Sequence, residues 1–333
     1  AEKENLFLLE SANMDRSRSR YTFFGYKPLR TLRYEDGVMK ISYRNGEAES
    51  VECDPSVFLQ NELGRYSSPG PGVMGQFSGG FIGYLGYAFA NYTGMLRRKV
   101  REAQDEPVLF MMDVDEWYLF DNHTGRVYAC ACSGGGDADE DYRASRERTL
   151  AMAEEVAGTA FSRRESQQIV MPQKDFSDGD FMKSVIRLQK DIDDGECIQA
   201  VLSNKYFIPG RINPVSLYRM MRNMNPSPYM FYIKGAGSVV CGTSPETHLR
   251  ITEKTAVLKP IAGTIRIDGD TAFLAEKLLS DPKERSEHLM LLDLARNDLY
   301  TSCDHDSVKV TTFFQPETYS HVMHIVPCTS ETI

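Results

Sequence analysis

The chain has 333 residues, of which 41% are hydrophobic and 26% charged, and its formal net charge is −9. That length suits two average domains or one large α/β or β-rich domain, with ample apolar material for a core. An acidic chain without a stripe dense in Lys and Arg excludes nucleic acid as a general partner, because a phosphate backbone demands a basic face. No apolar run reaches membrane-spanning length, so no membrane partner is expected. The 7 cysteines are scattered and odd in number, which fits a reducing compartment and predicts a cytoplasmic protein. Cys130 and Cys132 share one side of a strand-like run and read as buried apolar thiols, since no second pair stands at zinc-ligand spacing.

In chain order, Leu6–Leu9 and Tyr21–Tyr26 read as strands on either side of a polar loop. Leu32–Tyr34 and Val38–Tyr43 flank Asp36-Gly37 as a hairpin, and Asn45-Gly46 turns into a further strand. Pro55–Gly64 predicts a short helix and Ser67–Gly72 a loop. Gly79–Tyr87 has glycines at 80, 83 and 86 but lacks the Gly-Lys-Ser/Thr ending of a phosphate loop, so its aromatics point to packing. Pro107–Phe120 and Val127–Cys132 predict a hairpin around Asn122–Gly125, followed by the acidic hinge Ser133–Asp141 and a surface helix to about Val156.

The polar stretch Thr159–Lys174 is the best internal boundary, giving a β-rich half over 1–158 and a second half over 175–333. Ser177 or Asp178 caps a helix with Phe181, Val185, Leu188 and Ile192 on one stripe, ended by Gly195. Cys197–Ile208 predicts a strand, Pro214–Met224 a helix and Tyr229–Lys234 a strand. Val239–Cys241 leads to Ser244-Pro245-Glu246, and Thr247–Thr252 pairs with Ala256–Ile261. Next comes an expected turn, Ile261–Thr264, and a helix from Asp281-Pro282 that becomes apolar almost all round beyond Leu289. So many hairpins predict an α+β fold with antiparallel sheets and helices packed outside.

Four features carry potential chemistry. Glu284 and Glu287 share a helix face and suit a hard cation such as Mg²⁺; the alternative is a solvated first turn favoured by the helix dipole. His321 and His324 in YSHVMH lie one turn apart if helical, which suits zinc, a single acid–base histidine or a hydrogen-bonded core histidine. Glu246 follows Ser-Pro at a strand end, where a carboxylate is exposed or caps something. Gln199, in an otherwise apolar strand, needs partners for its amide from a ligand or a backbone edge.

Taken together, IAGT, SPE, EHLMLLDLARND, NPSPYMF and YSHVMH in this spacing resemble the chorismate-utilising enzymes, most closely the aminase subunits of anthranilate synthases, over nearly the whole chain from Leu8 onward. The resemblance implies a large antiparallel β-sandwich core flanked by helices. It implies Mg²⁺ held by Glu287 with Glu284 beside it, and Ala262, Gly263 and Thr264 against the substrate ring. It further implies a catalytic set of His324, Glu246, Thr264 and Gln199, with His324 assisting loss of the pyruvate side chain and Glu246 beside the leaving hydroxyl. Isochorismate and salicylate synthases carry a water-activating lysine where this chain has Gln199, and aminodeoxychorismate synthases a lysine nucleophile where it has Ala262. Both departures, with His288 in place of an asparagine, favour ammonia as nucleophile.

The implied reaction converts chorismate and ammonia to anthranilate and pyruvate, the first committed step of tryptophan biosynthesis. Ammonia comes from a separate glutamine amidotransferase subunit in a hetero-oligomer. Leu9, Glu10 and Ser11 resemble one half of the family's tryptophan pocket, and Asn225, Pro228, Tyr229 and Met230 the other, so feedback inhibition by tryptophan is expected. An aminodeoxychorismate synthase, or a non-catalytic tryptophan-binding chain, are the alternatives. Family members continue well past the position of Ile333, where the second metal carboxylate and much of the substrate's carboxylate clamp lie. The expectation is therefore an incomplete family fold with its C-terminal part missing, and an inactive enzyme on its own.

Overall fold

A computed structural model describes residues 3–11, 20–66, 77–96, 98–101, 106–132, 135–157, 171–210, 212–303, 305–318 and 322–332. Residues 67–72 of the expected loop, 133–134 of the acidic hinge, most of the polar boundary stretch, Tyr319 and His321 lie outside them. The elements run β1 (Leu6–Glu10), β2 (Tyr21–Gly25), β3 (Arg30–Glu35), β4 (Val38–Tyr43), β5 (Ala48–Glu52), α1 (Pro55–Leu63) and β6 (Gly80–Leu85). Next come β7 (Leu109–Val114), β8 (Glu116–Asp121), β9 (Arg126–Ala131), α2 (Ala138–Ala157), β10 (Gln173–Lys174), α3 (Asp178–Asp193), β11 (Tyr206–Phe207) and α4 (Pro214–Met224). The chain continues through β12 (Tyr229–Gly235), β13 (Ser238–Ser244), β14 (Arg250–Thr252), β15 (Thr255–Leu258), β16 (Ala262–Arg266) and α5 (Thr271–Ser280). It ends with α6 (Pro282–Tyr300), β17 (Lys309–Thr318) and β18 (Val322–Thr332). Helices and antiparallel sheets make the mixed α+β fold that the hairpin signals predict.

Two compact units share the chain, one of residues 1–160 and 220–333, the other of residues 161–219. In the larger unit a six-stranded sheet, in the order β13-β12-β1-β2-β8-β9, packs against a five-stranded sheet, β5-β4-β3-β7-β6. Phe7, Trp117, Leu119 and Ile233 from the first sheet meet Ile82, Phe110, Met112 and Val114 from the second in one buried cluster. β12 and β13, from beyond the polar boundary stretch, thus pair directly onto β1 near the N-terminus. The outer face of the five-stranded sheet carries Leu32, Tyr34, Met39 and Ile41, covered by Phe58 and Leu59 of α1. A third sheet, β14-β15-β18-β16 with β17 on the other edge of β18, is backed by α5 and α6.

Three expected elements change character. Pro107–Phe120 is two strands, because the chain crosses between the facing sheets at Asp115. That corner is held by Arg44 and Arg148, whose guanidinium groups both pair with the Asp115 carboxylate. Cys197–Ile208 is strand only at Tyr206–Phe207, with Ile198 and Val201 exposed, so alternation there reflects no buried face. Helix α6 is buried on a single stripe, His288, Leu292, Ala295 and Leu299, while Leu289 and Leu294 face solvent. Its apolar surround is therefore an amphipathic helix with apolar residues on the wet side.

The glycine-rich stretch 79–87 forms strand β6, and its glycines serve packing. A Cβ at Gly83 would run into the Phe110 carbonyl oxygen and lie 2.7 Å from Met111 Cα. Backbone in the paired strand cannot yield as a side chain can. Gly83→Ala should lower stability by at least about 1–3 kcal/mol, the usual cost of overpacking. Urea unfolding checks this, and an unchanged midpoint would contradict the close approach.

Candidate active site on the β16 bulge

The site forms where β16 departs from regular pairing. Ala262 pairs with Ile325 and Thr264 with His324, so Gly263 is an extra residue between successive positions of β18. Gly263 has φ 67, the left-handed conformation that a bulge of this kind requires. The expected turn at Ile261–Thr264 is thus a bulged strand start. The described part of YSHVMH, Val322–His324, is likewise not helical: it opens β18, and His324 is placed by an extended strand.

The bulge redirects backbone groups. The Thr264 N–H donates to Glu284 Oε2 at 3.2 Å, reaching the first turn of α6 instead of a strand. Asp281 caps that helix by accepting from the N–H groups of Lys283 and Glu284 at 2.9 and 3.2 Å, and Pro282 fills its first position. Lys283 then sits between two carboxylates, 3.0 Å from Glu284 Oε1 and 4.0 Å from Glu287 Oε2. Helix α5 packs beside this end, its Leu278 buried against Met323 and Ile325 of β18. No expectation covered α5, although Asp270 before Thr-Ala-Phe-Leu-Ala-Glu-Lys-Leu-Leu is a cap followed by helical spacing.

His324 is buried, with Nδ1 2.9 Å from Thr264 Oγ1 and 3.3 Å from the Gly263 carbonyl oxygen. A carbonyl only accepts, so Nδ1 carries the proton in the neutral ring and Nε2 carries the lone pair. Burial pushes the His324 pKa below its ordinary value, more than the Gly263 carbonyl and the charge of Glu246 pull it back. Glu246 is exposed, and its Oε1 accepts the Ile261 N–H at 3.3 Å just before the bulge. Ala262 is buried at 4% exposure.

One continuous network therefore joins Gly263, Thr264, His324 and Glu284, with Glu246 attached through Ile261. Gln199 lies in the smaller unit, exposed on an irregular segment, which corrects its expected place in an apolar strand. His288 is wholly buried on α6, with Nε2 hydrogen-bonded to the Phe313 carbonyl, which ties the helix to β17. Strand β17 was not anticipated.

Mg²⁺, implied by the resemblance, can be tested against the donor set. Among the described residues no three His, Cys, Asp or Glu side chains are placed to hold an ion. Mg²⁺ commonly binds one or two carboxylates and completes its shell with water and substrate oxygens. Glu284 and Glu287 are two such carboxylates near the start of α6, with Lys283 between them.

The residues of the two expected tryptophan elements are strand neighbours. Glu10 pairs with Met230 and Leu9 with Phe231. Leu9, Glu10, Ser11, Pro228, Tyr229 and Met230 line a cavity of about 980 Å³ whose far side reaches Lys259, Ile261 and Glu317. Arg222 Nε donates to Glu10 Oε2 at 3.0 Å, and Asn225 Nδ2 to Thr243 Oγ1 at 3.3 Å.

The family profile for chorismate binding enzymes matches residues 4–329. The chain belongs to that family. It is 33% identical to anthranilate synthase component 1 of Pseudomonas aeruginosa, over 98% of this chain and 68% of that protein. The corresponding protein of Acetivibrio thermocellus is 29% identical over 96% of this chain and 67% of that protein. The crystal structure of anthranilate synthase component I from Streptococcus pneumoniae superposes with a TM-score of 0.80 at 25% identity, covering 95% of this chain and 69% of that one. The menaquinone-specific isochorismate synthase of Escherichia coli has a TM-score of 0.61 at 12% identity, covering 100% of this chain and 66% of that one, a likeness of fold alone. Fold and membership are those of a chorismate-utilising enzyme.

A pH dependence follows from the buried imidazole. Because its folded pKa lies below the unfolded value near 6.5, the unfolded chain takes the proton first on acidification. The contribution to stability is whole above about pH 6.5 and is lost as pH falls through the folded pKa. Urea unfolding from pH 7 to 5 should show stability falling more steeply in the wild type than in His324→Gln. Equal slopes would contradict the burial of His324.

Proposed function

We propose that this chain is the aminase part of an anthranilate synthase, converting chorismate and ammonia to anthranilate, pyruvate and water. The observation that carries the reading is the 33% identity to anthranilate synthase component 1 across 98% of the chain, joined to the assembled Thr264–His324–Glu284 network. Ala262 supports ammonia as nucleophile, since its buried methyl group supplies no amine at the bulge.

In this reading ammonia adds at ring C2 as the C4 hydroxyl leaves, with Glu246 giving that hydroxyl its proton. Held by the Ile261 N–H through Oε1, Glu246 keeps its second oxygen for the transfer. Neutral His324, oriented by Thr264 and Gly263, then takes the C2 proton on Nε2 as enolpyruvate departs from C3 and the ring aromatises. Thr264 and Gly263 shape the wall beside the ring. Gln199 is assigned the place where related enzymes activate water, and an amide cannot accept that proton. Glu287 and Glu284 would hold Mg²⁺, which when bound offsets the negative charge of the substrate carboxylate.

Ammonia would be delivered by a partner glutamine amidotransferase subunit, in a hetero-oligomer, because at neutral pH nearly all free ammonia is held as ammonium, which has no lone pair to attack with. Tryptophan is the proposed feedback inhibitor, and the cavity beside β1 and β12 is its proposed seat. The pocket has the size and mixed lining of a small-molecule site, with Tyr21, Phe23, Tyr84 and Phe231 for an indole and Glu10 for polar contact.

Two measurements test this reading in the intact polypeptide. Supplied with chorismate, Mg²⁺ and ammonium, it should release fluorescent anthranilate and pyruvate, and Glu287→Gln should lower the rate at least roughly 10²-fold, as loss of a charge-stabilising group does. A 4-amino product that keeps its enolpyruvyl group would instead identify an aminodeoxychorismate synthase. By calorimetry, Ser11→Phe and Met230→Thr should each weaken tryptophan binding at least about tenfold, a loss near 1.4 kcal/mol. Unchanged affinity in either would count against the placement, and binding of tryptophan without turnover would point to a regulatory chain.

A further inference from the structure

The cavity and the bulge are joined by one short, hydrogen-bonded connection. Tyr229 opens β12 and lines the cavity, and it pairs with Ser244, the last residue of β13. At Ser244 the chain turns, with the Glu246 N–H donating to Ser244 Oγ at 3.3 Å across Pro245. Thr247, next in sequence and half-buried, is hydrogen-bonded through Oγ1 to the Tyr229 hydroxyl. Arg250 Nη2 donates to that same hydroxyl oxygen at 3.3 Å. Either hydroxyl can be the donor in that pair, and Arg250 adds a second bond to the Tyr229 oxygen.

Tyr229 thereby grips Glu246 from both sides, through Ser244 by strand pairing and through Thr247 by its hydroxyl. Glu246 in turn accepts the Ile261 N–H, one residue ahead of Ala262 and two ahead of the bulge at Gly263. Ile261 also lines the far side of the same cavity. Tyr229 and Ile261 are thus two residues of one cavity lining joined through Glu246.

We propose that the Tyr229–Thr247 hydroxyl pair is the positioning contact by which a ligand in the cavity sets Glu246 and the β16 bulge, and so changes affinity for the substrate. The inference rests on the reading that the cavity takes tryptophan and the bulge takes chorismate. Its distinct content is the connection. Coupling needs an element that both ligands bias, and the Ser244–Arg250 segment lines the cavity itself at Pro245, Thr247 and Arg250 and reaches the site at Ile261. Loss of the hydroxyl pair leaves Glu246 bonded to Ile261 and tied to Tyr229 through Ser244 alone.

The test is a double titration of the intact protein by calorimetry, with chorismate and Mg²⁺ added in the absence and presence of saturating tryptophan. In the wild type, tryptophan should weaken chorismate binding by roughly fivefold or more, within the usual range of allosteric coupling. In Thr247→Val, nearly equal in shape but without the hydroxyl, that factor, read at saturating tryptophan, should fall towards about 1 whatever the change in tryptophan affinity itself. Thr247→Ser should restore the coupling, which a merely structural role would not require. Should Thr247→Val fail to fold, Arg250→Met removes the guanidinium bonded to the Tyr229 hydroxyl and should reduce the coupling in the same way. Full coupling in a folded Thr247→Val or Arg250→Met protein would overturn the proposal. Failure of the wild type to bind tryptophan would instead remove the underlying reading of the cavity, a result visible before any variant is compared.

Discussion

The bond from the Thr264 N–H to the Glu284 carboxylate organises the site. In a regular strand that N–H would be spent on the ladder, or would face away from the helix. One extra residue at Gly263 turns it outward, and the same step brings the Gly263 carbonyl and the Thr264 hydroxyl to Nδ1 of His324. A side chain at Gly263 would stand 3.1 Å from Ile325 Cδ1 and 3.3 Å from Glu284 Oε2. The absent Cβ therefore allows both the backbone conformation and the close approach of the α6 carboxylate.

Around that bond the chain sets opposed charges and hydrogen bonds at the border of an apolar layer. Leu278, Met323 and Ile325 form the dry side, and Glu284, Glu287 and Lys283 the wet side. His324 sits on the dry side, where burial lowers its pKa, with its orientation fixed by groups on β16. A basic nitrogen held in a fixed tautomer beside carboxylates suits proton transfer on an anionic ring better than a fully charged, solvated histidine would.

Much of the scaffold was legible in the sequence because local chemistry decides it. Asp36-Gly37 between alternating runs gives β3 and β4, and Ser177 and Asp281 cap α3 and α6 where their positions predict. Misread elements are those that tertiary context decides. Asp115 divides Pro107–Phe120 because two distant arginines hold a corner there, and periodicity carries no sign of them. Cys197–Ile208 alternates like a strand, yet Ile198 and Val201 are exposed. His321 and His324 suggested one helical turn, whereas β18 needs Val322, Met323 and Ile325 for its pairing and its core. In the site, Glu284, Thr264 and His324 were each visible as candidates. The resemblance set them in one site, but the hydrogen bonds that join them were not legible, since these depend on a bulge and a backbone N–H. Links made by hydroxyls and backbone, such as Tyr229 to Thr247 and Ile261 to Glu246, leave no periodic trace at all.

If the bulge is the organising constraint, replacing its glycine should disable the site and spare the fold. The left-handed φ costs a non-glycine residue roughly 1–2 kcal/mol, and the new Cβ would push on the Glu284 carboxylate. The direct measurement is calorimetric titration of chorismate with Mg²⁺ into Gly263→Ala, alongside circular dichroism of the same sample. The bulge-centred account expects a native spectrum and chorismate binding at least about tenfold weaker than wild type, equivalent to roughly 1.4 kcal/mol. A folded Gly263→Ala protein that binds chorismate as tightly as the wild type would contradict it.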